Sequence, residues 1–214
     1  MGIKERRIRE KKIRKELILK AAKNVFFEHG FDGTSMDLIA REVELSKGTL
    51  YLYFKSKDSL YLSLLVEGMD ILTDTFTNVL DETTTGWEEG LRALGKAYYR
   101  YSVEYEQFFH INFRFQHGEL KVDESDALYA KCFDKGYKCL GFLSKCIQEG
   151  IDAGDVKKQD PMEIAVMLWG SLTGIILLHG RRRHKKFMPD SIDSLMEKSI
   201  DILVEGVKHC KEKI

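Results

Sequence analysis

Apolar positions recur every three to four residues along nearly the whole chain, the spacing of amphipathic helices rather than strands. Ile13, Leu17, Ala21 and Val25 form one stripe, flanked by Ile18, Ala22 and Phe26, and predict a first helix from about Ile13 to His29. Gly30 is the expected stop, followed by Phe31 as the apolar residue that accompanies such an ending. Thr34-Ser35-Met36-Asp37 reads as a capping box that opens a second helix, with Met36, Ile39, Ala40 and Val43 as its buried face. A short turn, Glu44-Leu45-Ser46, leads to a third helix capped by Ser46. Ser56-Lys57-Asp58 then starts a fourth, which uses Leu60, Leu64, Ile71 and Val79 and reaches about Leu80. Later helices are expected from Trp87 to about Tyr105, through Phe108–Gln116 and from Asp123 to Ala153. Two more follow Asp160-Pro161 and Pro189-Asp190-Ser191, where proline suits a helix start. β-branched residues are sparse and seldom alternate. The expected fold is all-α, with nine helices in two domains, 1–55 and 56–214.

The second and third helices, joined by a turn of three residues, have the form of a helix-turn-helix spanning Thr34 to Phe54. In the third helix Leu50 and Phe54, with Leu45 before it, are placed to pack inward. Lys47, Gly48, Thr49, Tyr51 and Tyr53 are then left on the outer face. Gly48 costs a helix about 1 kcal/mol against alanine, which makes sense where the backbone must approach a groove or a phosphate closely.

Charge supports a polyanion partner for this end only. The chain as a whole is neutral, with 34 basic and 34 acidic residues. Residues 1–60 nevertheless carry a net +5 and the remainder −5. Lys4, Arg6, Arg7, Arg9, Lys11, Lys12, Arg14 and Lys15 face only Glu5 and Glu10 over the first fifteen positions. This basic tail reads either as a solvated disordered segment or as an arm that reaches an adjacent minor groove.

The block from Phe26 to Leu60 contains Gly30-Phe31, Gly33-Thr34-Ser35-Met36, Ile39-Ala40, Glu42, Ser46-Lys47-Gly48-Thr49-Leu50-Tyr51 and Tyr53-Phe54-Lys55-Ser56-Lys57-Asp58-Ser59-Leu60. It resembles the N-terminal domain of the TetR/AcrR family of transcriptional regulators; the rest of the chain is similar only in layout and length. The resemblance implies a double-stranded DNA operator of pseudo-palindromic sequence as partner. Thr34 and Ser35 would hold a phosphate at a helix N-terminus. Ser46 caps the reading helix, and Lys47, Gly48 and Thr49 would sit over base edges, Lys47 being the best placed for guanine. Tyr51, Tyr53 and Lys57 would reach phosphates. Leu52 stands where many members have a polar or aromatic contact. The resemblance also implies a homodimer built from the last two helices, with Leu168, Leu172, Ile176, Leu195, Ile200 and Leu203 at the interface; the same stripes also fit a monomer core.

Thirteen aromatic residues lie between Trp87 and Phe142. Such stripes usually form core, yet their density also suits a largely apolar ligand pocket. Tyr98, Tyr101, Phe109, Phe113, Tyr137, Trp169 and His179 are its candidate lining, and a small hydrophobic or aromatic effector its occupant. Arg181-Arg182-Arg183-His184-Lys185-Lys186 reads as helix-end charge in a solvated loop, with a grip on acyl-CoA or another anion as the alternative. Cys132, Cys139 and Cys146 repeat at seven residues, as a buried stripe does, and no C-x-x-C pair suggests zinc.

Neither a phosphate-binding glycine loop nor H-E-x-x-H occurs, and no enzyme, cofactor or metal is expected. The first residues lack the apolar core of a secretory signal. The uncharged run Ile164–Gly180 suits a buried helix better than a membrane span, so a cytoplasmic protein is expected. The functional expectation is a repressor released from DNA by a ligand. The alternatives are an activator or ligand-independent regulator and, in a different class, a helical interaction protein.

Overall fold

The computed structural model describes residues 2–82, 86–116, 127–179 and 191–208, apart from the side chains of residues 3 and 114–116. Nine helices lie among the described residues: α1 (Ile3–Gly33), α2 (Met36–Glu42), α3 (Lys47–Tyr51), α4 (Lys57–Glu82), α5 (Trp87–Glu104), α6 (Glu106–Gln116), α7 (Ala127–Asp152), α8 (Pro161–His179) and α9 (Ile192–Val207). The only β feature among them is an isolated bridge between Val156 and Lys208. The run Arg181–Lys186 and the proposed start of the last helix at Pro189 fall outside the described residues.

The chain divides into two compact units. One comprises Met1–Gly68 with Gln107–Cys132, the other Met69–Glu106 with Phe133–Ile214. The first therefore runs past the boundary expected at position 55 and adds a later segment.

In the first unit α1 is much longer than expected, because the basic tail is helical from Ile3 onward. Its core begins at Ile18 and continues through Ala22, Val25 and Phe26. Ile13 and Leu17, placed on the buried stripe by their spacing, are instead 45% and 54% exposed. Gly30 breaks the helix with φ 68°, a left-handed conformation that glycine adopts without steric cost. Beyond that break Phe31 turns back, and the Phe26 and Phe31 rings both meet Tyr61 edge-on, at 5.2 and 4.9 Å between centroids. Lys57 fastens the same corner. Its ammonium donates to the Phe31 and Thr34 carbonyls at 2.8 and 3.1 Å and sits 4.1 Å from the Phe31 ring centroid. Gly68 lets the Phe108 ring lie against α4, where a Cβ would meet that ring at 2.8 Å.

In the second unit α5, α8 and α9 pack on one another. Gly95 of α5 permits this closeness, since a Cβ there would stand 3.0 Å from Ile200 of α9. Leu94, Ile147 and Met196 are fully buried. Arg92 braces α5 to α9 through ion pairs with Asp201 and Glu205. Asp160 accepts from the Met162 N–H at 2.8 Å, and Pro161 takes the first position of α8.

Candidate functional site

The turn between α2 and α3 is set by local hydrogen bonds. Leu45 N donates to Ala40 O at 2.9 Å, and Glu44 takes a positive φ of 54°. Ser46 then caps α3, its Oγ accepting from Thr49 N at 3.1 Å and lying 2.8 Å from the Thr49 hydroxyl. Leu50 is wholly buried and Phe54 nearly so, which fixes the rotation of this short helix. Lys47, Gly48, Tyr51 and Leu52 are exposed; Thr49 and Tyr53 are half-buried. A Cβ on Gly48 would meet nothing nearer than Ser46 Oγ at 3.9 Å. No packing inside the protein requires glycine there, so its helix cost is best explained by something outside.

Two of the expected phosphate ligands are otherwise engaged. Thr34 does not cap α2: it is only 3% exposed, and its hydroxyl donates to the Gly30 carbonyl at 2.6 Å, with the Val25 carbonyl at 3.4 Å. The cap is Ser35, exposed, whose Oγ accepts from Leu38 N at 3.2 Å. Lys57, expected to clamp DNA, is committed to the two carbonyls at the end of α1. Both residues were matched by pattern alone, which cannot tell a phosphate from a nearby carbonyl.

One contact escaped the sequence. Asp37 Oδ2 accepts from Lys47 Nζ at 2.7 Å, a contact between α2 and α3 that holds the lysine's pKa above its ordinary value. No spacing rule links positions ten apart across a turn. Leu52 is 77% exposed, an apolar surface on the same end of the helix-turn-helix.

A second candidate site lies wholly within the α5/α8/α9 unit. Phe76, Leu91, Leu94, Gly95, Tyr98, Leu143, Leu168, Trp169, Leu172, Ile200, Leu203 and Val204 line a cavity of about 420 Å³ counting its mouth. Most of that space is open mouth, and the enclosed part is small. The lining is apolar but for Tyr98, whose hydroxyl lies 2.8 Å from Thr173 Oγ1 and whose pKa burial pushes up to about 12.

Of the expected pocket residues, Tyr98 and Trp169 are in this lining. Tyr101 is buried against Tyr105 and outside it, and burial raises its pKa also. Phe109 and Phe113 belong to the first unit, His179 is at the far end of α8, and Tyr137 is 61% exposed. Conversely Leu168, Leu172, Ile200 and Leu203, expected at a dimer interface, line the cavity. Ile176 and Leu195 are half-buried. The apolar residues α8 does expose are Val166, Met167 and Leu178, interleaved with Gly170 and Ser171. Among the described residues α8 is also the one helix long and apolar enough to cross a membrane by length and composition.

Cys132, Cys139 and Cys146 are buried thiols. Burial pushes Cys146 up to about 11 and raises Cys139, whose Sγ is 3.5 Å from the Thr73 hydroxyl. These are inert environments for a thiol.

The described residues are helical, and the capped, outward-facing second helix of this pair has the form of a DNA-binding helix-turn-helix. Residues 18–64 match the family described as bacterial regulatory proteins, tetR family. This segment is a TetR-family DNA-binding domain, and over most of its length the chain is similar to transcriptional regulators. It is 26% identical over 191 residues to YhgD, an HTH-type transcriptional regulator of Bacillus subtilis, covering 86% of this chain and 93% of that one. It is 24% identical over 193 residues to the fatty acid metabolism regulator protein of Bacillus subtilis, covering 89% and 93%. The fold is shared with the fatty acid degradation regulator FadR of Bacillus halodurans, with a TM-score of 0.68 at 23% identity, covering 92% and 97%. It is shared too with FadR of Bacillus subtilis in complex with stearoyl-CoA, with a TM-score of 0.67 at 22% identity, covering 90% and 98%.

Proposed function

We propose that this protein is a repressor that binds a pseudo-palindromic operator as a homodimer and is released by a hydrophobic acyl ligand. The observation that carries the DNA reading is the rotation of α3: Leu50 and Phe54 are locked inward while Lys47, Gly48 and Tyr51 face out. Lys47 and Thr49 then meet base edges, the open backbone at Gly48 allows close approach, and Ser35, Tyr51 and Tyr53 meet phosphates.

The dimer reading rests on α8. Its exposed stripe of Val166, Met167, Gly170, Ser171 and Leu178 is apolar and small enough for close helix packing, and α9 exposes an isoleucine of its own, Ile202. A partner copy covers that face, as a helix apolar all round requires. Two α3 helices about one DNA turn apart, roughly 34–36 Å, then read two half-sites.

The ligand reading rests on the α5/α8/α9 cavity and on the fatty-acid regulators among the relatives. Small-molecule pockets run to about 300–1,000 Å³, and in the packing described this cavity encloses far less than that. An acyl chain enters only by moving Leu168, Leu172, Ile200 and Leu203, so it favours a different packing of these helices over the unliganded one. Such a difference in affinity is what moves an equilibrium. Helix α4, whose residues 57–68 and 69–82 belong to different units, is the element we assign to transmit that change.

The test is operator capture from random duplexes, followed by titration with long-chain acyl-CoA and free fatty acid. Release by micromolar acyl ligand, lost in Leu168→Trp, supports the reading. Tight binding that no acyl ligand changes refutes the release mechanism.

A further inference from the structure

The basic segment before the core of α1 is a helix, and its charges are sorted by face. Residues 4–17 are all exposed and extend about 21 Å beyond Ile18 at 1.5 Å per residue. At about 3.6 residues per turn, Lys4, Arg7, Lys11, Arg14 and Lys15 fall within a sector of about 120°. That sector contains no acid. It is also the side on which Ile18, Ala22 and Val25 are buried further along. The ion pairs of the segment, Arg6–Glu10 and Lys12–Glu16, lie outside it. Lys15 joins this face to the end of the helix-turn-helix, its ammonium standing 5.3 Å from the centroid of the Phe54 ring.

Resting on the DNA-binding reading above, we infer that this helical face is a second DNA contact. It lies along the phosphate backbone beside the half-site and reads no bases. A helix about 10–12 Å across does not enter a minor groove about 6 Å wide, so the segment is not a minor-groove arm. Its length spans about six base pairs at 3.4 Å each, and a row of cations facing a row of phosphates releases counterions. The same cations near a helix N-terminus are unfavourable in the free protein, and a polyanion relieves that.

The test compares two triple variants of the full chain with equal loss of charge. One is Lys4→Gln/Arg7→Gln/Lys11→Gln on the sorted face; the other is Arg6→Gln/Arg9→Gln/Lys12→Gln off it. Binding to a mixed-sequence 30-base-pair duplex is measured from 50 to 300 mM salt, with helix content checked by circular dichroism. The face variant is expected to lose about two to three units of salt slope per bound protomer and about tenfold in affinity. The other variant should lose less than half of either. Base preference, from random-duplex selection, should be unchanged in both but relaxed in Lys47→Ala. Equal losses in the two variants, an unchanged slope in the face variant, or protection of the neighbouring minor groove overturns the inference while leaving the DNA-binding reading standing. So does a face variant that binds DNA normally but loses binding to phosphatidylglycerol vesicles. If the wild-type chain binds no duplex at any salt, both fall.

Discussion

The helix-turn-helix and the α5/α8/α9 group solve opposite packing problems. In the first, a five-residue helix is held by one wholly buried leucine, Leu50, and a serine cap, so its polar face has a single orientation. In the second, long helices line a cavity with leucines and three aromatic rings, Phe76, Tyr98 and Trp169, and the leucines are side chains able to repack. A reading surface needs rigidity, whereas a sensor needs two packings close in energy. The same substitution should therefore have different consequences in the two places.

Leu50→Ala gives the largest expected effect, a loss of about 2–5 kcal/mol, with DNA binding lost as α3 loses its anchor. Leu168→Ala, beside an existing space, is expected to keep DNA binding and to enlarge the cavity, tightening its hold on acyl ligands. Denaturant unfolding and operator titration of both variants check this, and equal loss of DNA binding would erase the distinction.

Alkaline pH should act on the second group first. Burial raises Cys146 from 9.0 to about 11 and Tyr98 from 10.0 to about 12, so the folded state holds these protons more tightly than the unfolded chain. Their contribution is complete below about pH 9 and is lost as pH rises through 9–12. Thermal midpoints should fall over that range, and Cys146→Ala with Tyr98→Phe should flatten the fall. An identical profile in the double variant would assign it to other groups.

Lys47→Ala should leave stability unchanged and cost about 1–3 kcal/mol of discrimination at one base pair, seen in competition between operator variants. Asp37→Asn should act least. It frees Lys47 and removes a carboxylate from the DNA-facing surface, with about threefold tighter binding and little change in stability, because exposed pairs contribute little. Weaker binding would mean that Asp37 positions Lys47 for its base.

What was legible in the sequence follows the same division. Caps are local chemistry, so Ser46 and Asp160-Pro161 marked helix starts where the structure has them. Thr34 failed because Ser35 does the capping and the threonine hydroxyl finds carbonyls of the preceding helix. Ile13 and Leu17 continue the periodicity of α1 past the point where anything packs against it. Helix α8 is apolar all round, so its pattern contains no face. Leu168 and Leu172 therefore looked as suited to a partner as Val166 and Met167. A stripe states that a side chain leaves water, but not what it meets. Tyr137 shows the converse, an aromatic at helical spacing that stays in solvent.

The seven-residue ladder of thiols on α7 offers a chemical clock for this protein. Cys132 belongs to one compact unit, Cys139 and Cys146 to the other, and all three are buried. With Cys210 replaced by serine, the rate at which each reacts with a maleimide reports how often its own surroundings open. Ligand that loosens the sensing helices should quicken labelling at Cys139 and Cys146, and operator DNA should slow it at Cys132. One helix thus times the opening of both units in a single tube.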